Sequence, residues 1–201
     1  MTITLVVSTD VSAHRREDYL QAARIGVEPE SVLITLDLMP GIEVAESFIS
    51  ALDDDGDGAL SRDEQRGYAG LVVSALEVTI DERPVQPRLV SWSFPEPSAF
   101  RRGEGTIRLK IHATLPRVSA GSHRLFFKNA HMADHSAYLA NALVPESARV
   151  TVTAQRRDRD QRELTIEYTV RADPTGAGLA WALGSLAAAF VMVRSRWARA
   201  I

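Results

Sequence analysis

The chain has 201 residues, no cysteine, and a formal net charge of -3 from 23 basic and 26 acidic side chains. That balance gives no electrostatic reason for a nucleic-acid partner, and the missing thiols exclude disulfides, thiolate zinc sites, iron–sulfur clusters and cysteine nucleophiles. The length suits one domain with a substantial core plus terminal appendages.

Residues 3–7 are a very short apolar run with no basic residue before it, and Val11-Ser12-Ala13 ahead of His14 has the small-x-small form of a cleavage site. Residues 1–13 therefore read as the remnant of a signal peptide whose upstream part is missing, or as a disordered N-terminus. Residues 14–173 read as one β-rich domain. Branched apolar residues in 31–38 (SVLITLDL) predict a strand, ended by Pro40-Gly41. Further strands are predicted at 76–81, 88–94, 106–115, 122–129, 149–155 and 163–170. In the fourth of the seven, Ile107, Leu109, Ile111, Ala113 and Leu115 alternate with Arg108, Lys110, His112 and Thr114, which sets one face against a core and the other against water. Seven short strands separated by Pro, Gly and charged turns predict a mostly β fold, an antiparallel β-sandwich. The basic run at 156–162 interleaves acidic residues and reads as a solvated turn between the last two strands.

One stretch breaks the β pattern. Across 42–75, Val44, Phe48, Ile49 and Leu52 have helical spacing, as do Tyr68, Leu71, Val72 and Ala75, which predicts two short helices around the sequence DDDGDGALSRDE. That sequence has the spacing of an EF-hand loop. Asp53, Asp55 and Asp57 stand at positions one, three and five, Gly58 at six, Ala59 at seven, Ser61 at nine and Glu64 at twelve. Calcium takes six to eight oxygens, and each position has a task in supplying them. The aspartates offer carboxylates, Ala59 its backbone carbonyl, Ser61 a direct or water-borne contact, and Glu64 both carboxylate oxygens, while Gly58 permits the sharp turn. Leu60, at position eight, is expected to hold the loop against its neighbours. Asp54 and Asp63 add field without ligating. EF-hands usually work in pairs, and no second loop is present. A lone hand can pair in a dimer or dock against the sandwich.

His131 and His135 are four apart, so a helical turn would put them on one face as a transition-metal pair, although hydrogen-bonded loop histidines fit a sandwich better. His14, if cleavage follows Ala13, would offer its amine and imidazole to copper or nickel. No nucleophile elbow, phosphate-cradling glycine loop or HExxH helix is found, so no enzyme is predicted. Residues 176–193 carry no charge and would span roughly 27 Å as a helix at about 1.5 Å per residue, enough for a transmembrane helix. Arg194, Arg196 and Arg199 follow, so residues 194–201 are expected to be a cytoplasmic tail and the main domain extracytoplasmic at the cytoplasmic membrane.

The order DYLQAARIGVEPESVLITLDLMPG, then the acidic loop, then TAQRRDRDQRELTIEYTV resembles bacterial EF-hand proteins with an exported β-rich domain, over roughly residues 14–173. More distantly, with its Ala13-His14 junction, the chain is similar to exported domains of nickel/cobalt-permease-like and hydrogenase/urease accessory membrane proteins. The resemblance implies at most an accessory role in metal transport. The expected function is thus a membrane-anchored, extracytoplasmic, non-enzymatic module with Ca2+ as a structural clamp, presenting its surface to a protein partner. The alternative is an accessory protein that handles nickel, cobalt or copper for a membrane permease.

Overall fold

In a computed structural model, residues 19–116 and 118–172 are described. The first strand, β1 (Tyr19–Val27), pairs antiparallel with β2 (Ser31–Pro40). A short 3-10 turn, Ile42–Val44, leads into α1 (Ala45–Leu52), and after the acidic loop α2 (Arg62–Ser74) follows. Then come β3 (Leu76–Ile80), β4 (Arg83–Pro84), β5 (Arg88–Ser93) and the short α3 (Pro97–Arg101). The last five strands are β6 (Ile107–Thr114), β7 (Gly121–Asn129), β8 (Ser136–Ala142), β9 (Val150–Arg157) and β10 (Glu163–Val170).

The described strands form two five-stranded sheets, in the orders β5-β6-β2-β1-β8 and β4-β3-β7-β10-β9. Their inward residues make one core, in which Ile34, Leu36, Ile107 and Leu109 of the first sheet and Leu125, Phe127, Leu164 and Ile166 of the second are buried. The period-two alternation of β6 is observed as predicted, with Ile107, Leu109, Ile111 and Ala113 inside. The turn predicted at 156–162 is shorter in the structure: Arg156 and Arg157 are the last residues of β9, and 158–162 connect it to β10.

The all-antiparallel expectation needs one correction: β8 pairs parallel to β1. The chain leaves β7 in the second sheet, crosses through the turn at 131–135, and enters the first sheet already running in the direction of β1. Sequence patterning also missed β1 and β8. Their inward positions include Gln21 and Ala23 in one and Ser136 and Ala140 in the other, so neither shows the large apolar alternation that marks β6.

The registers give the fold two ends. At one lie Tyr19, Pro40, Ser136 and Asn129; at the other lie Val27, Val32, Leu143, Gly121 and Val170. The nine residues of β1 separate these ends by roughly 26 Å at about 3.3 Å per residue. The two helices dock at the Tyr19 end. Among the described residues no helix is long and apolar enough to cross a membrane. The segments 1–13, 176–193 and 194–201 lie outside the described residues.

Candidate metal centre

The helix–loop–helix begins where Pro40 ends β2. Helix α1 buries Ala45, Phe48, Ile49 and Leu52, the three- and four-residue spacing of one helical face. Helix α2 starts with a reciprocal capping box. The Ser61 hydroxyl accepts a hydrogen bond from the Glu64 amide, and the Glu64 carboxylate accepts one from the Ser61 amide at 2.7 Å. It buries Ala69 and Val72, whereas Leu71 is 60% exposed and Ala75 lies past the helix as its C-cap, so the buried face differs from the predicted one at both residues. Leu60 is buried in the core cluster, the role expected of position eight.

Between the helices the chain folds around its own carboxylates. Asp53 Oδ1 accepts from the amides of Gly56 at 2.9 Å and Asp57 at 3.1 Å, and its Oδ2 accepts from Gly58 at 2.9 Å. Asp57 Oδ1 accepts from Ala59 N at 2.8 Å. Glu64 reaches back across the loop, where its Oε1 accepts from the Asp54 amide at 2.6 Å. Gly56 and Gly58 hold φ of 72° and 81°, left-handed values that a Cβ disfavours. Gly58 was legible in the sequence; Gly56 was not singled out.

These bonds gather oxygens of Asp53, Asp55 and Asp57 within 4.8 Å of one another. The electrostatic consequence falls on Asp55. A hydrogen bond from the Asp57 backbone lowers its pKa, but the charges of Asp57 and Glu64, desolvation and the Asp53 contact outweigh it and leave the carboxyl raised. Glu64 moves the other way, lowered by the hydrogen bonds from Ser61 and Asp54. A triad of hard oxygens that repel one another fits a hard cation. Asp53, Asp55 and Asp57 would hold it through side chains, with the Ala59 carbonyl, Ser61 and Glu64 completing the shell. Glu64 would exchange its present amide donors for the ion.

The helix–loop–helix does not stand alone on the surface. Tyr68 of α2 sits between Phe48 and Phe94, with edge-on ring contacts at 5.4 and 6.1 Å. Its hydroxyl lies 2.5 Å from the Tyr19 hydroxyl and 3.0 Å from His131 Nε2. Burial raises the pKa of both phenols and lowers that of His131 to about 4, so all three groups are neutral at pH 7. In the first turns of α2, Arg62 and Arg66 stack over the Trp92 ring of β5 at 5.3 and 5.4 Å. The helix–loop–helix is thereby docked on the sheets from two directions.

His131 belongs to a buried polar network. Its carbonyl accepts from Gln21 Nε2 at 2.8 Å and from the Tyr138 hydroxyl at 2.6 Å, while Asn129 Nδ2 donates to Gln21 Oε1 and ties the two sheets together. His135, by contrast, is exposed, and the segment from 131 to 135 is a turn, not a helix. The structure thus puts one imidazole inside and the other outside, and the two do not share the helical face that their spacing predicts. His14 lies outside the described residues. Sequence reasoning missed Tyr19 and Gln21, which join the helix–loop–helix and the turn at 131–135 to the sheet.

Comparison with known proteins finds no matching family model, no matching curated protein and no matching solved structure. The functional reading therefore rests on the residues themselves.

Proposed function

We propose that this chain is a calcium-binding, non-enzymatic module in which an EF-hand loop, Asp53 to Glu64, holds one Ca2+ as a structural clamp. The observation that carries the reading is the convergence of three aspartate oxygens within 4.8 Å, between two helices and around a glycine at the sixth position with φ of 81°. A clamp is favoured over a sensor because α1 and α2 are fixed to the sandwich through Tyr68, Phe48 and the Arg62–Arg66–Trp92 stack, which leaves little freedom for the opening that sensor hands undergo. The charge-free sequence of 176–193, followed by arginines, supports anchoring in the cytoplasmic membrane with the domain extracytoplasmic. In such a compartment even a site with Kd of about 10⁻⁴–10⁻³ M stays filled.

The test is the melting temperature of the full chain in detergent, in calcium at about ten times Kd and in chelator. Mass action then stabilises the folded state by about 1.4 kcal/mol. For a domain of this size that raises Tm by roughly 3–6 °C. Magnesium at equal concentration should do much less, because it demands a tighter octahedral shell. Equal melting temperatures in calcium and chelator would refute the clamp.

A further inference from the structure

The domain's chain exit and one of its most exposed apolar features lie side by side. At the end opposite the helices, β8 leads into a loop in which Leu143 is 43% and Val144 90% exposed, followed by Pro145. An exposed valine on a slack loop means little, but this loop is held. The Leu143 amide donates to the Ile25 carbonyl at 2.8 Å, and the Glu28 carboxylate accepts from the amides of Glu146 at 2.9 Å and Ser147 at 3.1 Å. The fold thus presents Val144 to solvent on a braced turn. Immediately beside it β10 ends, and the Arg171 amide donates to the Arg149 carbonyl at 2.8 Å. Leu143, Val144, Pro145 and Arg171 line one shallow cleft.

We infer that the Leu143-Val144-Pro145 tip is a membrane-contacting element that seats the exit end of the sandwich in the lipid interface of the bilayer. The inference rests on the anchoring of residues 176–193 proposed above. Only residues 171–175 separate β10 from that segment, and at about 3.3–3.6 Å per residue they reach at most roughly 18 Å. The exit end is therefore confined to the bilayer surface, at a high effective concentration for any weak lipid contact. Three side chains fall far short of the approximately 800 Å² per partner that a stable protein interface buries, whereas a tethered tip needs only a small gain from partitioning. The helix–loop–helix, docked at the Tyr19 end, would then stand away from the membrane, open to the calcium of the medium and to a partner.

The absence of cysteine makes the test direct. Full chains carrying Val144→Cys, Gly67→Cys or Ala187→Cys are labelled with an environment-sensitive fluorophore and reconstituted into phosphatidylcholine–phosphatidylglycerol vesicles, with and without brominated lipid. The expected result is loss of emission to brominated lipid at 187 and at 144 but not at 67, with the loss at 144 reduced when Leu143→Ser and Pro145→Ser are added. Quenching at 187 without quenching at 144 overturns the inference and leaves the anchor standing. A blue shift at 144 without lipid quenching assigns the tip to a protein surface and also overturns it. Equal quenching at 67 and 144 overturns the end-on arrangement. No quenching at 187 removes the anchor and the inference with it.

Discussion

The docking of the helix–loop–helix on the sheets turns on one hydroxyl, that of Tyr68. Replacing it by phenylalanine keeps the ring between Phe48 and Phe94 and removes only the oxygen that bridges the Tyr19 hydroxyl and His131 Nε2. Tyr19 is 1% exposed and His131 6%, so neither orphaned group can turn to water. A buried polar group left without its partner costs about 1–3 kcal/mol. Two such groups, with some relaxation, give an expected loss of about 2–3 kcal/mol, or roughly 5–10 °C in Tm for a domain of this size. Tyr68→Ala should cost more, about 3–5 kcal/mol, because the ring contacts go as well. Urea denaturation of the full chain in chelator isolates these losses from calcium binding. In a double-mutant cycle with His131→Leu, Tyr68→Phe should show a coupling of about 1 kcal/mol, since removing both partners leaves fewer unpaired groups than removing one. A loss under about 0.5 kcal/mol, or purely additive changes, would refute the claim that this bond pins the helix–loop–helix.

Burial holds His131 at about 4, below its ordinary 6.5, so between these values the unfolded chain binds a proton that the folded chain refuses. Stability is therefore full above about pH 6.5, declines as pH falls toward 4 and levels off below. Unfolding free energies measured in chelator should show a shallower decline in His131→Leu than in the wild type, and parallel profiles would contradict this. Asp37 lies on the outer face of the first sheet between Arg24 and Arg108, each at 2.8 Å. Desolvation raises its pKa, but the hydrogen bonds and charges of Arg108 and Arg24 prevail and leave it lowered, so its contribution is present at neutral pH and lost as pH falls through the folded value. Both arginines are half exposed and stay solvated without it, so Asp37→Ala should cost only about 1 kcal/mol, by urea denaturation at pH 7. At Gly105 a Cβ would meet the Phe100 ring at 2.3 Å, and Phe100 is fully buried. Gly105→Ala should therefore cost about 1–3 kcal/mol through displacement of α3, whereas Gly70→Ala, with open space around it, should leave Tm unchanged or raised.

What the sequence disclosed followed the strength of local patterns. The β6 alternation, the strand at 31–38 and the α1 face could be read directly, because large apolar residues recur at the period of the element that carries them. The acidic loop was legible as a turn between two helices that gathers Asp53, Asp55 and Asp57, since its pattern lies in twelve consecutive positions. What failed to show was what distant segments do to one another. Gln21 and Ser136 look like solvent-facing residues, yet Gln21 is buried because Asn129 and the His131 carbonyl satisfy it from 108 and 110 residues away, and Ser136 because its hydroxyl accepts from Gln21 Nε2 on the neighbouring strand. The same non-local network hid β1 and β8 and kept His131 inside while His135 stayed out. The parallel β1–β8 pair likewise depends on which sheet the chain enters after β7, and no local period encodes that choice. The docking of Tyr68 was half visible: its place on the helix face was predicted, but not the tyrosine and histidine awaiting it.

The central claim is most directly tested by calorimetric titration of the full chain with calcium, beside Asp53→Ala and Glu64→Gln. Binding of about one ion per chain is predicted, with Kd of about 10⁻⁴–10⁻³ M or tighter, and lost in both variants. No heat and no change in melting temperature at millimolar calcium would mean that the aspartate triad is held in a geometry the ion cannot use, and the calcium reading would fall.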